Sequence, residues 1–358
     1  MNISAYTRSV LTGLIACLAL VACDGMIYDD EGDCSVNYRV KFRYDRNMKF
    51  ADAFAHEVES VTLYLLDKQG NVIWQKTESG EILASDEYAI TVDVAPGTYD
   101  LLAWCGSKEK GSFVVPDAQT KEGLTCTLGR RTAADGSAYV DEDLDRLYHG
   151  YLPDQVFGET EGTYVYTVPL TKDTNNIRVV LQQLSGEPVD KDQFTFLITA
   201  ENGRMDWDNS LMPDQRISYY AWHTKSGTAG IETPETPGSV GSFSAVIAEL
   251  TTARLMARDR TTAAPAAPQI VPGDKLPKDN KMRLTVVNNL TGEVILTLPL
   301  VDYALLVKGE NVRDMDDQEF LDRMDEYVLL FVLDEGMRWV SMTVNIHSWK
   351  LVIQNTGI

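Results

Sequence analysis

Val36-Asn37-Tyr38-Arg39-Val40-Lys41-Phe42-Arg43-Tyr44 alternates large apolar residues with polar or charged ones at every step. A period of two sends one set of side chains to a core and the other to water, the pattern of a half-buried β-strand. Downstream, Ser60–Leu66 and Val72–Lys76 flank Asp67-Lys68-Gln69-Gly70 and read as a hairpin. Tyr88, Ile90, Val92 and Val94 then face one way before Ala95-Pro96-Gly97, whose Pro and Gly are placed to reverse the chain into a strand at Thr98–Cys105. A short helical stretch around Lys49–Glu57 is the one clear interruption.

A second series starts near Thr171. Ile177–Leu184, Phe194–Ala200, Ile217–His223 and Phe243–Leu250 read as strands, and Met282–Asn288 with Val294–Leu298 form a further hairpin. Phe320, Leu321, Met324 and Tyr327 recur at three- and four-residue spacing, which predicts a helix over Asp316–Glu326. Tyr327–Leu333, Trp339–His347 and Ser348–Asn355 close the chain as strands. Many short strands with turns between them specify an all-β protein of two β-sandwich domains with a few short helices. Residues 35–171 are expected to form the first sandwich and 172–358 the second. Ser226–Ser242 and the proline-bearing Asp259–Lys281 read as long excursions from the second.

Ahead of the first strand lies a different signal. Arg8 precedes Val10–Ala22, an apolar run interrupted by Thr12 and Gly13 and too short to span a bilayer. It ends in Leu20-Val21-Ala22-Cys23, the pattern read by the bacterial lipoprotein-processing peptidase. Residues 1–22 are therefore expected to be a signal peptide and Cys23 the lipidated N-terminus, with 23–34 an acidic tether. One buried acyl chain anchors reversibly, at roughly 0.8 kcal/mol per methylene; two or three on Cys23 would hold firmly. Only Arg8 among the charged residues leaves with the signal, so the formal charge moves from −21 to −22. Such a surface argues against nucleic acid and against electrostatic attachment to anionic lipid.

Of five cysteines, Cys17 leaves with the signal and Cys23 is spoken for, so Cys34, Cys105 and Cys126 remain. Cys105 and Cys126 are either disulfide partners or buried thiols; no C-x-x-C spacing points to zinc. His56, His149, His223 and His347 stand singly, and no nucleophile elbow, Walker loop or dinucleotide fingerprint occurs. Asp314-Met315-Asp316-Asp317-Gln318-Glu319 fails as a calcium loop, because Glu319 falls where glycine is required; an acidic helix N-terminus suits it better. The expectation is a non-enzymatic protein with no cofactor or metal. Six tryptophans are present, and Trp207 and the Tyr219-Tyr220-Ala221-Trp222 stretch are the least easily assigned to a core.

The lipobox cysteine, the strand soon after it, Val94-Ala95-Pro96-Gly97-Thr98-Tyr99 followed by Leu102-Ala103-Trp104, and the C-terminal Gln318–Tyr327 and Ile346–Val352 segments resemble the FimB-type fimbrial anchor lipoproteins of Bacteroidetes. Acidic residues just after a lipid cysteine also resemble the surface-export signal of Bacteroidetes lipoproteins, though a solvated spacer would look the same. The family resemblance implies two transthyretin-like sandwiches at the base of a type V pilus, on the outer membrane through the lipid on Cys23. It implies pilin (fimbrillin) partners joined by strand exchange. Stalk pilins of that system lose their first strand to an arginine-specific protease, and a neighbour's strand fills the groove; the anchors keep theirs and end the fibre. Arg46, just after the first strand, is where a stalk-type cut would fall, so a stalk or tip pilin is one alternative. A surface glycan-binding lipoprotein using Trp207 or Trp222 is another.

Overall fold

The computed structural model describes residues 35–107, 109–183, 185, 187–232, 240–257, 281–306, 308, 312–336, 338–346 and 349–354. The expected signal peptide and tether, with Cys23 and Cys34, and nearly all of Asp259–Lys281 lie outside the described residues; Ser226–Ser242, expected as an excursion, is instead mostly paired strand, with 233–239 alone of it outside them.

The first series comprises β1 (Val36–Arg43), helix α1 (Phe54–Glu57), β2 (Ser60–Leu66), β3 (Val72–Ser79), β4 (Ile90–Val92) and β5 (Gly97–Gly106). Four short pieces follow: β6 (Phe113–Val114), β7 (Cys126–Leu128), β8 (Arg131–Thr132) and β9 (Ala138–Val140). Two long strands complete it, β10 (Leu147–Phe157) and β11 (Gly162–Lys172). The sheet order is β3-β2-β5-β10-β11-β1-β4. This sheet folds back on itself through β11, whose residues 162–169 run parallel to β1 while residues 170–172 pair antiparallel with β10. The inner faces of both leaves meet in one core, with Tyr38, Val40 and Phe42 of β1 against Val61, Leu63, Leu65, Leu101 and Ala103. A strand that changes partners part-way is how one sheet makes both halves of a sandwich.

The second series contains β12 (Thr174–Gln183), β13 (Phe194–Ala200), β14 (Arg204–Met205), β15 (Ile217–Tyr220), β16 (His223–Glu232), β17 (Val240–Ala253), β18 (Arg283–Asn288) and β19 (Val294–Pro299). Helices α2 (Leu300–Leu306) and α3 (Asp317–Arg323) precede β20 (Glu326–Leu333), β21 (Trp339–Ile346) and β22 (Trp349–Gln354). One sheet runs β16-β17-β12-β20-β21-β22 and the other β19-β18-β13-β15-β9-β8. Ile177, Val179, Leu181, Leu329 and Phe331 from the first sheet meet Phe196, Ile198, Tyr219, Leu284 and Val286 from the second in a single core. The all-β architecture expected from the alternation is the one observed.

Two segments behave differently from a reading by chain order. β8 and β9 fall within 35–171 yet join a sheet of the second sandwich, β9 pairing with β15 and β8 with β9, and Ala138, Val140 and Leu144 enter its core. β10 and β11 are two long strands that the alternation reading does not include. Pro153 lies at a bulge in β10, where Asp154 takes φ of +56° and the register to β5 shifts. A three-stranded sheet, β14-β7-β6, covers the outer face of β2 and β5. There Tyr64, Leu102 and Trp104 from the first series pack with Met205, Trp207 and Leu211 from the second. The two sandwiches therefore share an apolar joint.

Candidate functional site

The site that sequence reasoning singles out is the end of β1 and the arginine after it. Alternation drives Tyr38, Val40, Phe42 and Tyr44 inward, none more than 5% exposed. Burial of such side chains stabilises by about 1.5–3 kcal/mol each. Tyr38 Oη–H donates to the Gly158 carbonyl at 2.7 Å, and the Tyr44 ring meets Tyr148 edge-on at 5.0 Å. Beyond Tyr44 the chain turns sharply. Asn47 Nδ2 donates to the carbonyls of Tyr44 and Ala51 at 3.0 and 2.8 Å, and the Ala53 N–H donates to Tyr44 O at 2.9 Å. Arg46 thus sits at the mouth of a closed turn.

Arg46 is held from the other sandwich. Its Nη2 lies 3.3 Å from Asp322 Oδ2, and that aspartate, on α3, is only 2% exposed. Asp322 also accepts from Arg254 Nε at 3.1 Å and Nη2 at 2.8 Å, and from Gln318 Nε2 at 2.7 Å. Arg254 Nε reaches Asp173 Oδ1 at 3.5 Å, and Asn209 Nδ2 donates to the same oxygen at 2.9 Å. Complete burial pushes Asp173 from its ordinary 3.8 up to about 7, against the lowering pull of Arg254. One residue further along α3, Arg323 donates from Nη1 to the Asp45 carbonyl at 3.1 Å and lays its guanidinium 4.7 Å from the Phe50 ring centre. α3 thus touches the turn at the Asp45 carbonyl, the Arg46 side chain and the Phe50 ring.

A second cluster lies beside it. Lys172, the last residue of β11, is 6% exposed and pairs with Glu57 of α1 at 3.0 Å and with Asp325 at 2.5 Å. Tyr148 donates to Glu57 Oε2 at 2.8 Å. Burial alone would raise Glu57, but Lys172 and the Tyr148 hydroxyl outweigh it and hold the carboxyl below its ordinary value. His149 sits against Trp104 with its Nε2 2.8 Å from the Trp207 carbonyl, and burial lowers it from 6.5 to about 4. These buried charges are paired, as buried charges must be. Asp173, Arg254, Asp322 and Lys172 carry no motif, so nothing in the sequence announced them.

Other residues singled out from the sequence fall elsewhere. Cys23 lies outside the described residues. Cys105 and Cys126 form no disulfide: both are buried thiols, Cys105 in the core between the leaves of the first sandwich and Cys126 in the apolar joint on the outer face. Opposite faces of β5 separate them. Asp316 caps α3, accepting from the N–H groups of Gln318 at 2.8 Å and Glu319 at 3.2 Å, so the acidic run is a helix start. Among the described residues no cluster of His, Cys, Asp and Glu is arranged to hold a metal, and no helix is long and apolar enough to cross a membrane. Trp207 is engaged, with Lys121 Nζ 4.2 Å above its ring and Tyr151 edge-on at 5.2 Å, whereas Trp222 is 40% exposed. β21 pairs with β20 and β22 with β21, forming one edge of the second sandwich.

The family model for fimbrillin-A associated anchor proteins Mfa1 and Mfa2 matches residues 30–355. Among solved structures, a protein from Bacteroides thetaiotaomicron provisionally described as an adhesin is 30% identical, with a TM-score of 0.72, covering 91% of this chain and 100% of its own. A second B. thetaiotaomicron protein, provisionally described as polysaccharide binding, is 25% identical with a TM-score of 0.69, over 90% and 99% of the two chains. The fimbrial anchor protein Mfa2 from Porphyromonas gingivalis shares the fold at 14% identity and a TM-score of 0.59, over 90% and 100%. No curated protein gives a significant match.

Proposed function

This chain belongs to the family of fimbrillin-A associated anchor proteins, a fimbria-associated group at the cell surface, and from that premise we propose that it is the lipid-tethered base of a fimbrium. In this reading residues 1–22 are removed, Cys23 carries the acyl chains, and residues 23–34 lead from the outer membrane to β1. The two sandwiches are the two domains, and fimbrillin subunits are the partner, joined by strand exchange. Growth ends here because the first strand is kept. An open groove with a row of unpaired backbone groups invites an incoming strand; a filled one does not.

The observation that carries this reading is the placement of β1 and Arg46. β1 and Tyr44 just after it supply four core side chains, and β1 pairs along its length with β11. Arg46, the residue a stalk-type protease would need in an extended segment, lies instead in a closed turn, its side chain 41% exposed and paired with buried Asp322. The test is to replace Cys23 by Ala in cells and follow the fibres. Release of both protein and fibres into the medium, with longer fibres when the gene is deleted, is the expected result. Fibres that stay cell-bound overturn it. The N-terminal mass of the mature protein separates the alternatives: an acylated peptide beginning at Cys23 fits the anchor, and a terminus at Asn47 identifies a stalk subunit.

A further inference from the structure

The outer face of the second sandwich carries a cavity of about 360 Å³ across β16, β17, β12 and β20. Register dictates its floor. His223, Glu249 and Arg178 stand directly across from one another on three adjacent strands, and Thr251 and Asn176 form the next row. Alternate residues share a face, so both rows point away from the core filled by Ile177, Val179, Ala248 and Leu250.

Trp222, immediately before β16, forms one wall. Its indole Nε1–H donates to Thr251 Oγ1 at 3.2 Å, and its backbone N–H donates to the Glu249 carbonyl at 3.0 Å, so the ring is fixed although 40% exposed. Thr251 Oγ1–H in turn donates to Asp143 Oδ1 at 2.8 Å, and Lys110 Nζ holds Asp143 Oδ2 at 2.8 Å. Arg178 uses Nε on Glu249 Oε1 at 2.8 Å, and 53% of its side chain remains exposed.

An aromatic face fixed beside a carboxylate, an amide and a guanidinium suits a pyranose ring. The C–H face of the sugar stacks on the indole while its vicinal hydroxyls donate to the carboxylate and accept from the guanidinium. A ring already held in place loses little freedom on binding. Charge narrows the ligand further: Asp143, Glu249 and Glu326 against Arg178 and Lys225 leave no cationic excess for a uronate or sialate. We infer that this cavity is a glycan-binding subsite for neutral hexopyranosides, with Trp222 as the stacking platform and Asp143, Asn176 and Arg178 as the polar contacts. This site stands independently of any lipid on Cys23.

Affinity electrophoresis of the detergent-solubilised full chain, through gels containing yeast mannan, dextran, xylan, galactan or polygalacturonate, tests it. The expected result is retardation by at least one neutral polysaccharide, a loss of at least tenfold in affinity for Trp222→Ala, and partial retention for Trp222→Phe. Arg178→Ala, at an exposed side chain, provides a second variant should Trp222→Ala fail to fold, and it too should weaken retardation. Retardation by none of the neutral polymers, by polygalacturonate alone, or to an equal degree for wild type and a folded Trp222→Ala or Arg178→Ala chain overturns the assignment.

Discussion

Replacing Asp322 by Ala should make Arg46 cleavable. Asp322 is 2% exposed and is the point where Arg46 from the first sandwich and Arg254 from the second converge. Removing one member of a buried ion pair costs about 3–5 kcal/mol, mostly because the partner charge stays buried alone. Here the lower end applies, since Arg254 keeps Asp173 within 3.5 Å and the repulsion between the two aspartates disappears. The turn itself loses only its Arg46 contact, which screening of the 41%-exposed guanidinium limits to about 1 kcal/mol, so the opened turn becomes roughly fivefold more populated, at tenfold per 1.4 kcal/mol. Cleavage of a transiently opened segment follows that population when reclosing is fast. The assay is limited digestion with an arginine-specific endoprotease, following the new terminus at Asn47 by mass spectrometry, alongside urea unfolding. Asp322→Asn, which retains an acceptor for Gln318, should fall between wild type and Asp322→Ala. If Asp322→Ala is cut at Arg46 within threefold of the wild-type rate and unfolds at the same urea concentration, the ion pair does not guard the turn.

The joint should also respond to acid through His149. Burial lowers it from 6.5 to about 4, so between those values the unfolded chain takes up a proton that the folded one does not, and stability falls as pH drops through that window. His149→Leu should flatten the acid side of a Tm-versus-pH curve; an unchanged slope means that His149 does not set it. Gly106, at the end of β5, has φ of +151°, and a Cβ there would collide with the backbone carbonyl of Arg146. Gly106→Ala should therefore cost about 1–3 kcal/mol and lower Tm by at least about 2 °C, read by calorimetry. A Tm within 1 °C of wild type, on the order of the measurement error, would show that the strands yield freely.

Much of the fold was legible because alternation is a local property. β2 and β13 run over the residues that their apolar pattern marks, and β1 is one residue shorter than its pattern. β11 carried the same signal in Tyr164, Tyr166, Val168 and Leu170, but Pro169 and the two-leaf pairing obscured it; the proline is tolerated at the last position paired with β1. The siting of β8 and β9 was not legible, since partner choice between two sandwiches is decided by three-dimensional packing. The same holds for the ion pairs. Lys172 and Asp173 are adjacent in sequence, yet one binds Glu57 and Asp325 while the other faces Arg254 and Asn209. Charges at a strand end look solvated until the other domain is present. Arg46 was visible as a feature, but its pairing with a residue 276 positions away was not.

The orientation of β1 has a mechanical consequence. Its N-terminal end begins beside Gly162, where the Gly162 N–H bonds the Ser35 carbonyl, and its C-terminal end runs to the turn clasped by α3. A pull entering at residue 35 and resisted at the second sandwich therefore runs along the strand. Load in that direction shears the ladder, so the bonds to β11 share the force together with those to β4, whereas a sideways pull would unzip them one at a time. The Arg46–Asp322 clasp lies at the far end of this load path, where tension is handed from one sandwich to the next. Tension entering at residue 35 and resisted at the second sandwich is accordingly met by β1, making the strand that closes the fold also the element that bears tension.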